Sequence, residues 1–190
     1  MIDCVVHPRS TERILAEARK DKGAHHLLPA MLLRFEAATE PERNYLSYLE
    51  RLKSHLQSTS APTIVLAPAF DVNRTEEWLT GLKPSAPIII TPTEVDAPTP
   101  RFDKLLVDRE MATGPLLATE RASQNYYNWL IFKKFLSGLN VTTVKLMGEM
   151  YFTFPTYPRG CVCGANLWLK VFGLATEIAE GFTYPNSIMT

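Results

Sequence analysis

Four short apolar runs constrain the fold of this chain more than any other feature, because they lack the polar–apolar alternation of a half-exposed strand. The runs are Ile2–Val6, Thr63–Ala67, Pro87–Ile90 and Val141–Met147. Strands buried on both faces are typical of parallel sheets covered by helices. With 190 residues the chain has the length of one domain. We therefore predict a single α/β domain over residues 1–190, a three-layer α/β/α sandwich with a mostly parallel sheet.

Helical patterns separate the apolar runs of the first half. The clearest begins near Thr39 and Glu42, which have capping-box spacing around Pro41, and its apolar positions recur at helical intervals: Tyr45, Leu49, Leu52 and Leu56. We assign His55, near the end of this helix, to the surface. Further helices are predicted over 10–20 and 27–37, and a short one is opened by Glu76 and Glu77.

The second half contains two stronger helical patterns. Thr119 or Ser123 begins a long helix whose apolar face consists of Tyr126, Trp129, Leu130, Leu136 and Leu139. A final helix follows Cys161, ends at Gly181, and has a predicted core face of Leu167, Val171, Leu174, Ala175 and Ile178. Residues 182–184 are predicted as an edge strand. The proline-rich stretch 92–115 is predicted as a functional loop with a short strand over 105–107.

Charge and cysteine content restrict the classes of partner. The chain has 20 basic and 20 acidic side chains, so we expect no nucleic acid partner, which would require a basic face. It lacks an apolar stretch of about 20 residues and the pattern of a signal peptide, so we expect no membrane association and a cytoplasmic location. Three cysteines, an odd number, do not form a disulfide framework. Self-association into a homo-oligomer is kept as an open alternative.

Polar residues follow the predicted strands, at the edge where ligands bind in open parallel sheets. Because parallel strands end at the same edge of the sheet, we expect these residues to lie close together although they are distant in sequence. Asp71 is a predicted catalytic residue that positions substrate or water, with helix capping as the alternative. The predicted substrate-binding residues at this rim, including two aromatic ones, are His7, Thr91, Thr93, Glu94, Tyr151 and Tyr157. The expected ligand is a small polar molecule.

Glu149 is the predicted proton carrier of this site. It follows the last buried run directly and precedes a loop rich in aromatic residues and proline. Aromatic neighbours would desolvate the carboxyl group and raise its pKa, which suits an acid or base that works near neutral pH.

Cys161 and Cys163 are candidates of a different kind, because they lie between Gly160 and Gly164 where the last helix begins. The helix dipole and the free amides of its first turn would stabilise a thiolate, so Cys161 is predicted as a nucleophile and Cys163 as a substrate-binding residue. The alternative is that both thiols fill space in the core. No metal site is predicted, since Cys-x-Cys has no second pair of ligands at zinc spacing.

The familiar nucleotide-binding signatures are missing from the sequence. It contains no Gly-x-Gly-x-x-Gly, no lysine-containing phosphate loop and no Gly-x-Ser-x-Gly elbow, so nucleotide kinases and classical dehydrogenases are not expected. The cofactor, if the protein uses one, is left unassigned.

The segment from about Leu130 to Phe182 resembles the end of isochorismatase-like cysteine hydrolases. The shared order is a helix, a strand ending in glycine, Cys-Val, a helix and a glycine. The resemblance implies Cys161 as nucleophile and Asp3 as its partner. About twelve residues separate Gly148 from Cys161, which is longer than the family pattern, and no mid-chain lysine matches.

The residues together predict an enzyme that transforms a small molecule by hydrolytic or acid–base chemistry at the carboxyl edge of a parallel sheet. One alternative is a non-catalytic α/β protein that binds a ligand or its own copy. A second alternative is a diverged isochorismatase-like cysteine hydrolase.

Overall fold

Six strands and four helices make up the part of the chain that the structure, a computed structural model, describes: residues 1–9, 41–93, 99–100, 118–153 and 158–188. The strands are β1 (Ile2–Val6), β2 (Thr63–Pro68), β3 (Ile88–Thr93), β4 (Thr143–Thr153), β5 (Pro158–Arg159) and β6 (Ala175–Ile188). The helices are α1 (Pro41–Ser58), α2 (Val72–Leu82), α3 (Ala118–Gly138) and α4 (Cys161–Val171). The predicted helices over 10–20 and 27–37, the predicted strand over 105–107, and Glu94 and Tyr157 lie outside the described residues.

The main sheet has the order β3-β2-β1-β4-β6, and every neighbouring pair in it is parallel. The short β5 pairs antiparallel with the far end of β4, at Phe152 and Thr153. The chain lays down β1, β2 and β3 in one direction and then returns to the other side of β1 for β4 and β6. The predicted α/β fold with a parallel sheet is confirmed. This order is doubly wound, and its direction reverses between β1 and β4.

Alternate side chains of β1, β2 and β4 enter two separate apolar clusters, one on each face of the sheet, whereas β3 contributes Ile88 and Ile90 to one cluster and leaves Ile89 46% exposed. On one face, Val5, Val65 and Met147 pack against α1 and α2. On the other, Val6 and Leu66 pack against α3 and α4. Both faces are therefore covered by helices, which is why these strands show no polar alternation in the sequence. Within the described ranges, no helix combines the length and the apolar character that a bilayer crossing requires.

Helix α1 forms as the sequence predicts, and its four predicted apolar positions are all buried. The surface assignment of His55 is wrong. Its Nε2 lies 2.8 Å from Oδ2 of Asp3, a buried acidic residue of β1, and its ring packs against Phe182 with 4.6 Å between ring centroids. The periodicity of α1 could not reveal this contact, because the partner lies 52 residues away in a strand.

One helix boundary and one helix face differ from the predictions. Helix α2 begins at Val72 rather than at Glu76, because the chain turns directly from β2 through a 3-10 turn over Ala69–Asp71. On α3, Trp129 and Leu136 are buried as predicted, whereas Tyr126 is 45% exposed and Leu139, just after the end of the helix, is 50% exposed. The inward stripe of α3 is thus narrower than the apolar pattern suggests.

The predicted final helix is the largest error in the sequence-based fold. Helix α4 ends at Val171, and Gly173, with φ of 77°, turns the chain into β6. Leu167 and Val171 are exposed, and the side chains that face the core are Val162, Cys163, Ala165 and Leu169. Ala175 and Ile178 belong to β6, as does Gly181, which ends no helix. Pairing of these residues with β4 overrides the helical spacing, so the predicted edge strand over 182–184 is part of a longer one.

Candidate functional site at the sheet edge

The carboxyl ends of the central strands meet at one edge, as the register of the ladder shows. Val6, at the end of β1, pairs with Leu66 of β2 and with Gly148 of β4, and Leu66 pairs with Thr91 of β3. His7 and Glu149 are therefore the first residues past the ladder that joins β1 to β4. Neighbouring strands lie about 4.8 Å apart. The reversal of strand order falls between these two strands, at the position where ligands bind in doubly wound sheets.

His7 and Thr93 are joined across the end of β2. The Nε2 atom of His7 lies 2.8 Å from Oγ1 of Thr93, 86 residues further along the chain, and both side chains are buried. Burial lowers the pKa of His7 to about 4, so the imidazole is neutral near neutral pH. His7 also has a positive φ of 48°, an uncommon conformation for a residue with a side chain. The structure thus brings together two predicted substrate-binding residues, and Thr91, also buried, lies two residues away on β3.

Gly148 permits an unusually close approach of β1 and β4 beside this site. Its φ is 120°, and a Cβ atom built there would overlap the backbone N, C and O of Val6. A side chain is therefore excluded on steric grounds, apart from the cost of the backbone conformation. The strand spacing at the reversal point depends on glycine at this position.

Glu149 lies within β4 and not in a loop after it, because β4 continues to Thr153 alongside β6. Glu149 is fully buried and pairs in register with Tyr184. Its charge acts on groups from two helices, since it raises the pKa of Tyr48 in α1 and of Cys161 in α4. A carboxyl group at the reversal point is thus in electrostatic contact with helices on both faces of the sheet. Tyr151 is also part of β4, where it pairs with Asn186.

Three tyrosines pack together next to Glu149. The ring of Tyr48 lies 6.0 Å from that of Tyr45 and 5.5 Å from that of Tyr184, and the rings of Tyr45 and Tyr184 are 5.3 Å apart, all between centroids. All three side chains are buried. Neither Tyr48 nor Tyr184 is among the site residues predicted from the sequence. Tyr48 lies three positions after Tyr45 and four before Leu52, a spacing that places it on the inward face of α1.

Asp71 is buried immediately before α2, beyond the end of β2. Its Oδ1 lies 3.6 Å from a guanidinium nitrogen of Arg74, and its side chain makes no capping hydrogen bond to the helix. Arg9 reaches the same corner, where it donates a hydrogen bond to the carbonyl oxygen of Arg74 at 3.3 Å and lies over the ring of Trp78 at 6.0 Å. Asp71 therefore shares the carboxyl edge with Glu149, but β1 lies between their strands.

The two cysteines have environments that differ from the predicted one. Cys163 is 3% exposed and packs in the cluster between the sheet and helices α3 and α4. Cys161 is half-buried at the first position of α4, and its pKa is raised to about 12 by burial and, to a smaller extent, by Glu149 and Cys163. This direction is opposite to the one expected from a helix N-terminus. The thiol of Cys161 therefore keeps its proton near neutral pH.

The structure does not bring Asp3 and Cys161 together, as the resemblance to cysteine hydrolases implied. Asp3 accepts hydrogen bonds at Oδ2 from His55 of α1 and from Thr59 just after this helix, whereas Cys161 packs against the cluster on the opposite face. Among the residues that the structure describes, no group of three His, Cys, Asp or Glu side chains could hold a metal ion.

Comparisons with protein-family models, curated proteins and solved structures gave no match to this chain. The fold defines the class of this chain as a doubly wound α/β protein.

Proposed function

We propose that this protein is an enzyme that transforms a small polar molecule at the carboxyl edge of its sheet, with Glu149 as the proton carrier. The observation that carries the proposal is the position of Glu149: a fully buried carboxyl group beside the strand-order reversal, in electrostatic contact with Tyr48 and Cys161. Structural carboxylates are seldom fully buried. Titratable groups with shifted pKa values, as Tyr48 and Cys161 have beside Glu149, cluster at functional sites.

Hydrolysis is the reaction that best suits these residues. The carboxylate of Glu149 would accept a proton from water as the water oxygen bonds to the electrophilic atom of the substrate. The same proton would then pass to the leaving group as its bond breaks, which returns Glu149 to its starting state. Neutral His7, held by Thr93, would position the substrate by hydrogen bonding, and Asp71 would position substrate or water from the end of β2.

A cysteine nucleophile receives less support than the acid–base role of Glu149. An attacking cysteine reacts as the thiolate, and the raised pKa of Cys161 opposes thiolate formation. We therefore assign the proton transfer of the reaction to Glu149. Cys161 is retained as a neighbour of the site, and its nucleophilic role stays a prediction.

Replacement of Glu149 tests the proposed role directly. We expect Glu149→Gln to lower kcat at least about 100-fold on any substrate found in a panel of small esters, amides and phosphate esters, because the amide cannot accept the proton. The matched control is Glu177→Gln on the neighbouring β6, where the carboxylate is 57% exposed and lies 4.0 Å from Lys145. Full activity of Glu149→Gln would show that Glu149 does not carry the proton.

The same variants separate catalysis from binding alone. Thermal stabilisation by a ligand that depends on Glu149 but is followed by no turnover would favour the non-catalytic ligand-binding alternative.

We also propose a cytoplasmic location. It is supported by Cys4, Cys161 and Cys163, all within the described residues, none of which forms a disulfide bond.

A further inference from the structure

The outer surfaces of helices α3 and α4 carry an exposed apolar patch. Eight large apolar side chains are exposed in the described part of the chain, and half of them belong to this patch: Tyr126, Tyr127, Leu167 and Val171. The partly buried rings of Trp168 and Phe172 complete it. Single exposed apolar residues are ordinary on a protein surface, whereas a concentration of them on one face marks a surface that contacts something.

Ring contacts join the two helices of the patch into one continuous surface. Tyr126 of α3 lies 5.9 Å from Tyr127 and 5.2 Å from Phe172, which follows α4, between ring centroids. Phe172 in turn stacks on Trp168 at 6.3 Å. The members that α4 and its last turn contribute recur at intervals of one and four residues, so they form one stripe: Leu167, Trp168, Val171 and Phe172.

The charge of the patch indicates what kind of partner it fits. The stretch 167–172 contains one charged residue, Lys170, which is exposed. Nucleic acid that stacks on aromatic rings also needs a groove of several basic side chains, and an anionic membrane needs a cluster of Lys and Arg. A single lysine provides neither, so the patch fits a partner whose own contact surface is apolar.

We propose that the patch is the contact surface between two copies of this chain related by a two-fold axis. A two-fold contact requires a surface that is complementary to itself, and a nearly uncharged apolar surface meets this requirement because it opposes no strong set of like charges. The inference concerns a different face of the molecule from the Glu149 site and does not depend on the proposed function.

The area of the patch sets the strength of the association. A fully packed aromatic side chain buries about 150–250 Å². With its four main members 45–60% exposed, the patch therefore presents roughly 400 Å² on each copy. Two copies bury about 800 Å² at the apolar centre, and a polar rim brings the contact to the ~1,000 Å² at which specific interfaces begin. Permanent dimers bury about 2,000 Å² or more, so this dimer dissociates on dilution.

Sedimentation equilibrium of the full chain tests the proposal, and we expect the mass to rise from one copy to two with a Kd in the micromolar range. Leu167→Lys should raise that Kd at least about 100-fold, because it places a charge against an apolar surface. The matched control is Leu46→Lys on α1, where the same residue is exposed to the same fraction, 59%. It should leave the Kd unchanged, and both variants should keep the Tm of the unmodified protein.

Amide shifts give a second measurement that needs no substitution. Between dilute and concentrated samples, ¹H–¹⁵N shifts should change at residues 126–127 and 167–172. A mass of one copy at every concentration would overturn the proposal, and so would an equal Kd for Leu167→Lys and the unmodified protein. Growth beyond two copies would show a head-to-tail contact instead of a two-fold one. Shifts confined to other residues would place the contact on another face.

Discussion

Four buried polar residues lie at the carboxyl edge of the sheet, and the sequence predicts their positions better than it predicts their partners. All four of these side chains are buried: His7, Thr93, Asp71 and Glu149. The sequence identified all four, because each comes at or just beyond the end of an apolar run. It could not identify their partners, since the hydrogen bond of His7 spans 86 residues and the neighbours of Glu149 come from two different helices.

The pKa of His7 leads to a prediction about stability in acid. Its pKa is about 4 in the folded protein and 6.5 in the unfolded chain, so between these values the unfolded chain binds more protons. The free energy of unfolding must therefore fall as the pH drops from 6.5 to 4, by about 3 kcal/mol from this group alone. His7→Gln should remove that part of the pH dependence.

Urea unfolding of both proteins at pH 7 and at pH 4.5 measures this contribution. The carboxylates titrate in both proteins, so the difference between the two pH dependences isolates His7. Equal losses of stability in both proteins would show that His7 is not a buried neutral imidazole.

Secondary structure elements were predictable where one apolar pattern matched one element. Strand β1 and helix α1 show this, because local spacing and long-range packing agree there. The prediction failed after Val171, where the spacing of Leu174 and Ile178 continues the helical pattern of α4. Pairing of residues 175–178 with β4 decides the outcome, and no local signal contains that partner. For the same reason Glu149 lies within β4, although the sequence predicts that it follows the strand: its partner strand β6 is not visible in the local pattern.

The buried face of α4 differs from the one predicted from the sequence, and this difference can be tested by substitution. Leu169→Ala should lower the free energy of unfolding by about 2–5 kcal/mol, because Leu169 is 1% exposed in the cluster below α4. Leu167→Ala, at a 59% exposed position two residues earlier, should change it by no more than about 0.5 kcal/mol. Denaturant unfolding of the two variants checks the assignment. A larger loss for Leu167→Ala would support the face originally predicted from sequence.

The two apolar clusters are coupled at the scale of the whole molecule, because the same strands supply both. Val5 and Val6 point to opposite faces from β1, as Met147 and Leu146 do from β4. A loss of packing on either face must therefore disturb the strands that support the other. A single domain, which stays a prediction, calls for one cooperative unfolding transition.

Fluorescence and circular dichroism together test this cooperativity. In Trp78→Phe the remaining tryptophans, Trp129 and Trp168, lie in the layer of α3 and α4, whereas the helical signal comes from both layers. We expect the two signals to change with the same midpoint. Separate midpoints would indicate that the layers unfold independently.

The strands end at different heights along the carboxyl edge of the sheet, because β4 and β6 are longer than β1. β4 continues from Gly148 to Thr153 after its last pair with β1, about 16 Å of extended chain, and β6 accompanies it to Ile188. Above β1 the edge is bounded on one flank by the extended end of β4, which pairs there with β5, and on the other flank by the shorter strands β2 and β3. A molecule bound there would contact strand backbone on its first flank and the turn over Ala69–Asp71 on its second, so its two sides would be recognised by different chemistry.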